Sequence, residues 1–212
     1  MSKIKLPHAS GNSVSIAAPQ ANPASDRTLY LPSNADGTVL TNTTPGCILQ
    51  VKQNSTITDR GTITLTSGGT FYDWPNMNVA ITPQNANSKI LISLSAMGEG
   101  DDPDHNFRWR LKKTIDSVDS YIHGVNGGTN RTSVMGMVTT SYFDNNNAST
   151  PTMFGCSNYL DSPATTSEIT YTLQLNSAGD NHVWNYNRST DDTNSSGYER
   201  GMSYITVMEV AG

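Results

Sequence analysis

The sequence predicts an all-β protein with a β-sandwich or jelly-roll-like head and an extended N-terminal arm. The 212 residues include 26 Thr, 24 Ser and 21 Asn, a bias that favours strands and turns over helices. The apolar fraction is 35% and the charged fraction is 15%, both below the values of an average globular domain. Short β-branched runs alternate with Gly, Pro and Asn turns, and no segment has the pattern of an amphipathic helix.

Residues 1–44 differ from the rest of the chain. Four of the ten prolines lie there, and Pro45 follows at the boundary. Three short extended segments are predicted, at Ser13–Ala17, Thr28–Leu31 and Thr38–Thr41. Each has too few apolar residues to bury a face alone. We therefore expect an arm that becomes ordered in an oligomer or against a docking partner, the alternative being a flexible terminus.

Residues 45–212 are predicted to form the head. Phe107–Lys112 alternates apolar with cationic residues, as a strand with one solvated side requires, and Arg108, Arg110, Lys112 and Lys113 are expected on that side. About ten strands at hairpin spacing indicate a sandwich or jelly roll, without fixing the strand order. The predicted strands are Ile48–Lys52, Thr62–Thr66, Val79–Thr82, Lys89–Ala96, Phe107–Lys112, Tyr121–Val125, Val134–Tyr142, Met153–Leu160, Ile169–Leu175 and Tyr204–Val210.

Charge and composition argue against nucleic acids and membranes as partners. The net charge is −5 and the 13 basic residues are scattered, so nucleic acid is not an expected partner. No run approaches the roughly 20 apolar residues of a membrane span, and the N-terminus lacks the apolar core of a signal peptide.

Cys47 and Cys156 are predicted to be buried thiols in a reducing cytoplasm.

No motif for catalysis stands out. The sequence contains no GxSxG, HExxH, P-loop or dinucleotide-binding pattern, and its four histidines lack metal-ligand spacing. We therefore predict a protein that is not an enzyme and has no catalytic residues, cofactor or bound metal. The acidic segment Glu99–His105, with Asp101, Asp102 and Asp104, could offer oxygen ligands to a hard cation, but a solvated hairpin loop is the expected structure.

Aromatic residues in loop-rich stretches suggest carbohydrate recognition. Trp184 and Tyr186 alternate with Asn185 and Asn187, so both rings share one face, and Arg188 follows. Exposed rings with polar neighbours suit the C–H faces and hydroxyl edges of sugars. The alternative is that the rings pack as part of an edge strand. Tyr72 and Trp74 are expected to close one end of the sandwich.

Several motifs, taken in order, resemble tail-fibre-like proteins of tailed phages, and those of marine bacteria and cyanobacteria are most similar. In the arm they are Gly11–Pro19, Asn22–Asp26, Leu29–Pro32 and Gly37–Leu40. In the head they are Ile81–Pro83, Ser88–Ile92, Phe107–Lys112, Leu160–Tyr171 and Ile205–Glu209. The resemblance covers nearly the whole chain, and its most specific element is Asp161-Ser162-Pro163-Ala164-Thr165-Thr166. A long shaft, which such fibres usually carry, has no room in this chain.

The resemblance implies a homotrimeric virion protein made in the bacterial cytoplasm. Its arm would attach to tail, baseplate or capsid proteins, and its head would project toward a host surface glycan. The residues expected in attachment and trimerisation are Val14, Ile16, Leu29, Leu31, Val39 and Leu40. Those expected in receptor binding are Asp101, Asp102, Asp104, Trp184, Tyr186 and Arg188, with loops 99–106, 144–151 and 184–188 on the distal surface.

Two other functions stay open at this stage. A head fibre or capsid decoration protein would keep the trimer without binding a receptor. A glycan depolymerase would need two facing carboxylates, and the sequence singles out no such pair.

Overall fold

The computed structural model describes residues 3–7, 9–11, 13–17, 45–55, 59–102, 106–124, 130–138 and 151–212. The chain divides into two compact units, Met1–Val39 and Leu40–Gly212. In the first unit, β1 (Lys3–Pro7) and β2 (Ser13–Ala17) form an antiparallel hairpin. The predicted strand at Ser13–Ala17 is thereby confirmed, whereas those at Thr28–Leu31 and Thr38–Thr41 lie outside the described residues.

The second unit is a sandwich of two antiparallel sheets, with no helix among its described residues. This confirms the predicted fold class. Sheet I contains β3 (Ile48–Ser55), β4 (Gly61–Leu65), β6 (Lys89–Gly100), β10 (Thr152–Asp161), β12 (His182–Tyr186) and β13 (Tyr204–Val210). Sheet II contains β5 (Phe71–Ile81), β7 (Phe107–Ile115), β8 (Val118–Ile122), β9 (Gly136–Val138) and β11 (Ile169–Ser177).

The long strand β6 organises sheet I, whose order is β3-β13-β6-β12-β4. Strand β13 pairs with residues 89–95 of β6, β12 pairs with residues 98–100, and β10 also pairs with β6. Sheet II has the order β5-β11-β7-β8, and β9 pairs with the beginning of β7. Apolar side chains from both sheets form one buried cluster between them.

Four strands were misjudged from sequence. Strand β1 was not predicted, and β8 begins three residues before the predicted strand Tyr121–Val125. Strand β5 begins at Phe71, whereas the sequence predicted its start at Val79. Its pairing with β11 is interrupted near Pro75 and Asn76, where Asn76 has a φ of 58°. Such an irregularity hides a period-two pattern. Strand β12 overlaps residues 184–188, for which a distal loop and an edge strand were both open.

Aromatic rings and glycines fit together in the middle of the sandwich. A Cβ atom at Gly98 would lie 2.5 Å from Trp184 Nε1, and one at Gly136 would lie 2.6 Å from Trp109 Nε1. At Gly100 it would lie 2.1 Å from the Phe107 ring, which belongs to the opposite sheet. These glycines are therefore required by close packing, because any larger residue would displace a ring.

We expect Gly98→Ala to destabilise the head by about 1–3 kcal/mol, the usual cost of overpacking. The added methyl group would also meet the backbone oxygen of Asn185 at 2.3 Å. Gly197→Ala is the matched control, because no atom lies within 4 Å of its Cβ position. Urea unfolding of both variants tests this, and equal midpoints would contradict the packing argument.

A polar bridge connects the sheets. Asp161 of β10 accepts hydrogen bonds from Lys113 Nζ of β7 at 3.0 Å and from Tyr171 Oη of β11 at 2.8 Å. The expectation that Lys113 lies on the solvated face of β7 is therefore wrong, because its partner Asp161 belongs to the opposite sheet and is buried. Burial is the main cause that raises the pKa of Tyr171 far above its usual value, and the charge and hydrogen bond of Asp161 raise it further. The phenol therefore stays protonated and donates its hydrogen bond.

Glu209 holds the turn before β6 against β13. This fully buried carboxylate accepts hydrogen bonds from Gln50 Nε2 and from the Gln84 backbone N–H, each at 2.7 Å. Burial alone would raise its pKa, but these hydrogen bonds outweigh burial and lower the pKa below its usual value near 4.5. The carboxylate therefore stabilises the fold while ionised, and this contribution is lost as the pH falls through the lowered pKa.

Glu209→Gln should accordingly be less stable than the wild type at pH 7, with a difference that shrinks as the pH falls below about 4.5, the usual glutamate range. Urea unfolding of both proteins between pH 7 and pH 3 measures this difference. A gap that stays constant over that range would mean that ionisation of Glu209 does not stabilise the fold.

Both cysteines are free and half-buried. The prediction of thiols is confirmed, and that of full burial is wrong. Burial raises the pKa of Cys156, although a backbone hydrogen bond at Leu94 acts in the opposite direction.

Candidate functional site

The segment predicted as an exposed aromatic loop is a core strand. Trp184 is 0% exposed and Tyr186 is 7% exposed. Their rings do share one face, as expected, but that face is the sandwich interior, where Trp184 lies 5.1 Å from Phe107 and 6.2 Å from Trp74 between ring centroids. Neither ring is therefore available to stack on a sugar. The alternative that they pack as part of an edge strand is correct in the packing and wrong in the position, because β12 lies between β6 and β4.

Arg188 lies just after this strand in a network of charges. Its Nη2 donates to Asn185 Oδ1 at 2.6 Å, and its Nη1 lies 4.0 Å from Asp192. Asp192 also pairs with Arg200 at 2.7 Å and Arg60 at 3.2 Å. Hydrogen bonds from Arg200 and then Arg60 lower the pKa of Asp192 despite some desolvation. This network connects three separate segments of the head, so its first role is to hold them together.

The acidic segment is divided between strand and loop. Glu99 belongs to β6 and is fully buried, and one of its oxygens accepts the Thr190 backbone N–H at 2.7 Å. Asp101 is exposed and accepts hydrogen bonds from Val183 N and His182 Nδ1, at 2.9 and 3.1 Å. The expectation of one solvated loop is thus wrong for its first two residues, Glu99 and Gly100.

Other predicted site residues have mixed placements. Asp102 is half-buried, and Asp104 lies outside the described residues. No group of three or more His, Cys, Asp or Glu side chains could hold a metal within the part of the chain that the structure describes. Loop 144–151 lies almost entirely outside that part.

The arm residues proposed for assembly are described only in part. Val14 and Ile16 belong to β2, where they pair with Leu6 and Ile4 of β1. Ile16 is 60% exposed and Leu6 is 53% exposed. Leu29, Leu31, Val39 and Leu40 lie outside the described residues.

The outer face of sheet II carries a hydrogen-bonded set of charged and amide groups. We call it the cationic face, defined by Arg108, Arg110, Lys112, Gln174 and Asp73. Arg110 Nε donates to Gln174 Oε1 at 2.8 Å, Gln174 Nε2 donates to Asp73 Oδ1 at 2.7 Å, and Lys112 Nζ contacts Asp73 Oδ2 at 2.6 Å. These five residues include three cations and one carboxylate, on a chain whose net charge is −5.

Two aromatic rings fix Arg110 on this face. Its Cζ lies 3.8 Å from the centroid of the Phe71 ring and 3.7 Å from that of Tyr121. The sequence pattern of β7 correctly placed Arg108, Arg110 and Lys112 together on its outer side, although all three are half-buried. Phe71, Asp73 and Tyr121 were missed because they reach this face from other strands.

The outer face of sheet I is different, because apolar side chains line up across four of its strands. Val51 pairs with Met208, Met208 with Leu91, and Leu91 with Leu160. We call these four residues the apolar row. Val51 is 54% exposed and Leu160 is 44% exposed, while Leu91 and Met208 are half-buried. The cross-strand register creates this row, so no local sequence pattern could have revealed it.

A groove lined by uncharged residues continues this surface toward the beginning of β10. It has a volume of about 470 Å³ and is lined by Ser93, Ser95, Met153, Gly155 and Tyr204, among others. Met153 is 67% exposed. The apolar row and this groove together give sheet I an outer surface without charged side chains at its centre.

No protein-family model and no curated protein sequence matches the chain. Among solved structures, a match is found to a chain in "Structure of infectious bursal disease virus Gt strain". The TM-score is 0.40 with 12% identity, over 94% of this chain and 52% of that chain. This chain therefore spans about half the length of that viral protein, and a likeness this distant carries no argument about function. No helix among the described residues is long and apolar enough to cross a membrane.

Because Trp184 is a core residue, we expect Trp184→Ala to destabilise the head by about 3–5 kcal/mol. Met153→Ala is the control: it removes an exposed apolar side chain, so stability should change by at most about 0.5 kcal/mol. Thermal unfolding of the two variants decides between a core role and a surface role. Full stability of Trp184→Ala would restore the surface interpretation.

Proposed function

We propose that this chain is a structural protein of a tailed-phage virion and assembles as a homotrimer. Residues 1–44 would attach to other virion proteins, and the β-sandwich head would contact the host surface as a short fibre. Two observations support this proposal: the ordered series of tail-fibre-like motifs along the sequence and the all-β head. Attachment, trimerisation and host binding are all parts of the proposal.

The observation that carries the assembly is the apolar row. Val51 and Leu160 are about half exposed at the two ends of the row. The row on one side contains Gln53, Thr206 and Ser93, and the row on the other side contains Val210 and the charged Lys89. The apolar row itself carries no charge, so it can pack against another copy of the chain while Lys89 at its border stays in water. Burial of apolar area then stabilises the assembly by roughly 25 cal/mol per Å².

The hairpin of the arm supports a role in attachment. Two strands alone are marginally stable in water, and Leu6 and Ile16 are more than half exposed in it. A hairpin of this kind gains stability when another chain covers its apolar side chains. Ile16 therefore remains in the proposed attachment set, together with Val14 and the arm residues outside the described part.

The proposed host ligand is a surface polysaccharide. Of the receptor-binding residues predicted from sequence, Asp101 and Asp102 stay in the proposal, whereas the buried Trp184 and Tyr186 do not. Arg188 is half-buried and paired within the Asp192 network, which makes it a structural residue first. The proposal includes no catalytic step, cofactor or metal, and no partner among nucleic acids or membranes.

Light scattering tests the assembly. The purified chain is expected at about 69 kDa, three times its mass of 22.9 kDa. Leu160→Arg should shift the mass toward the monomer, because an arginine in the apolar row would have to be desolvated. Val118→Arg is the matched control, since Val118 is 69% exposed on β8 of the other sheet.

A monomeric wild-type chain would contradict the trimer. A trimer unaffected by Leu160→Arg would place the interface elsewhere, and the chain without residues 1–44 then shows whether the arm holds the trimer together. Immunogold labelling of particles gives the position. A few copies on the tail support a fibre, whereas many copies on the capsid indicate a decoration protein or head fibre.

A further inference from the structure

We propose that the cationic face of sheet II binds an anionic saccharide, with Arg110 as the residue that contacts the acidic group. The inference adds a ligand class and a second binding surface to the host binding in the proposed function, and it rests on that function only for the biological source of the ligand. The surface differs from the distal loops in which the sequence predicted receptor binding.

The first argument is the rigidity of Arg110. An exposed arginine samples many rotamers and loses that freedom when it binds an anion. Here the guanidinium lies between the Phe71 and Tyr121 rings, with its Cζ less than 4 Å from each ring centroid. Its Nε–H is held by Gln174 at 2.8 Å. The planar group is thus oriented before a ligand arrives, which favours bidentate binding of a carboxylate or phosphate.

The second argument is charge. Arg108, Arg110 and Lys112 lie on alternating positions of β7. Two carboxylates share this face: Asp73 of β5 accepts a hydrogen bond from Lys112, and Asp119 of β8 accepts one from Thr114. The face keeps a net positive charge although the chain as a whole is negative. An anion is attracted to such a face, and salt screens that attraction.

The third argument concerns the rest of the ligand. Tyr121 is 42% exposed and offers an aromatic surface for the C–H groups of a sugar ring. Three cations beside two carboxylates are too few for a nucleic-acid backbone, which needs many phosphate contacts. A flat sheet face also suits an extended polymer better than an enclosed small molecule.

Isothermal titration calorimetry at low salt tests the inference with four defined probes. Trigalacturonate carries carboxylates, mannose 6-phosphate carries a phosphate, maltotriose is neutral, and inorganic phosphate has no sugar. We expect binding of trigalacturonate or mannose 6-phosphate, and the tighter of the two identifies the acidic group. Maltotriose and inorganic phosphate should bind at least about tenfold more weakly, because each lacks half of the recognised chemistry.

Arg110→Lys and Asp73→Asn should act in opposite directions on the affinity. Arg110→Lys keeps the charge but loses the stacked fork, and should weaken binding by about tenfold or more. Asp73→Asn removes the carboxylate that repels the ligand, and should strengthen binding about two- to fivefold. Lys52→Gln removes a charge from an exposed site on β3 and should leave the affinity unchanged.

Several outcomes would overturn the site. They are no binding of either acidic sugar, equal binding of inorganic phosphate, or weakening by Asp73→Asn in a protein that melts like the wild type. If Arg110→Lys fails to fold, the probe comparison and Asp73→Asn still decide. A monomer that binds the acidic sugar would contradict the proposed trimer and support this binding site. A trimer that binds neither acidic sugar would support the proposed assembly and contradict this binding site.

Discussion

The structure of the head depends on the close packing of aromatic rings between its two sheets. Phe154 and Trp184 of sheet I lie with Trp74, Phe107 and Trp109 of sheet II at centroid separations of 5.1–6.2 Å. Rings of this size fit only where glycine stands on the strand beside or opposite them, which explains the strand glycines at 98, 100 and 136. Much of the chain is polar, so these few large residues must supply a major part of the apolar burial that holds the sheets together.

Because the rings fill the interior, the composition of each outer face is set separately by the strand register of its own sheet. Once the rings occupy the interior, the alternate residues of each strand must point outward, and the register then decides which of them meet. In sheet I the register brings Val51, Met208, Leu91 and Leu160 into a row. In sheet II it brings Gln174 and Asp73 beside Arg110. One outer face therefore carries an apolar row, and the other carries a set of cationic side chains.

Three buried carboxylates connect segments of the head through hydrogen bonds, in addition to the packing of its apolar core. Glu209, Glu99 and Asp161 are all nearly or fully buried, and each receives hydrogen bonds from segments distant in sequence. Burying a carboxylate without partners would cost several kcal/mol. The partners must therefore be in place whenever the fold is formed, so these groups favour one arrangement of strands and turns over alternatives that would leave them unpaired.

The sequence by itself determined the fold class, most strand positions and the outward placement of Arg108, Arg110 and Lys112, because period-two alternation within a strand is a local property. Tertiary structure alone decided the roles of Trp184 and Tyr186. Their alternation with asparagine is compatible with either face of a strand, and only pairing with β6 and β4 turned both rings into the core. The apolar row and the partners of Arg110 likewise come from cross-strand register, which depends on long-range contacts and leaves no trace in any single segment.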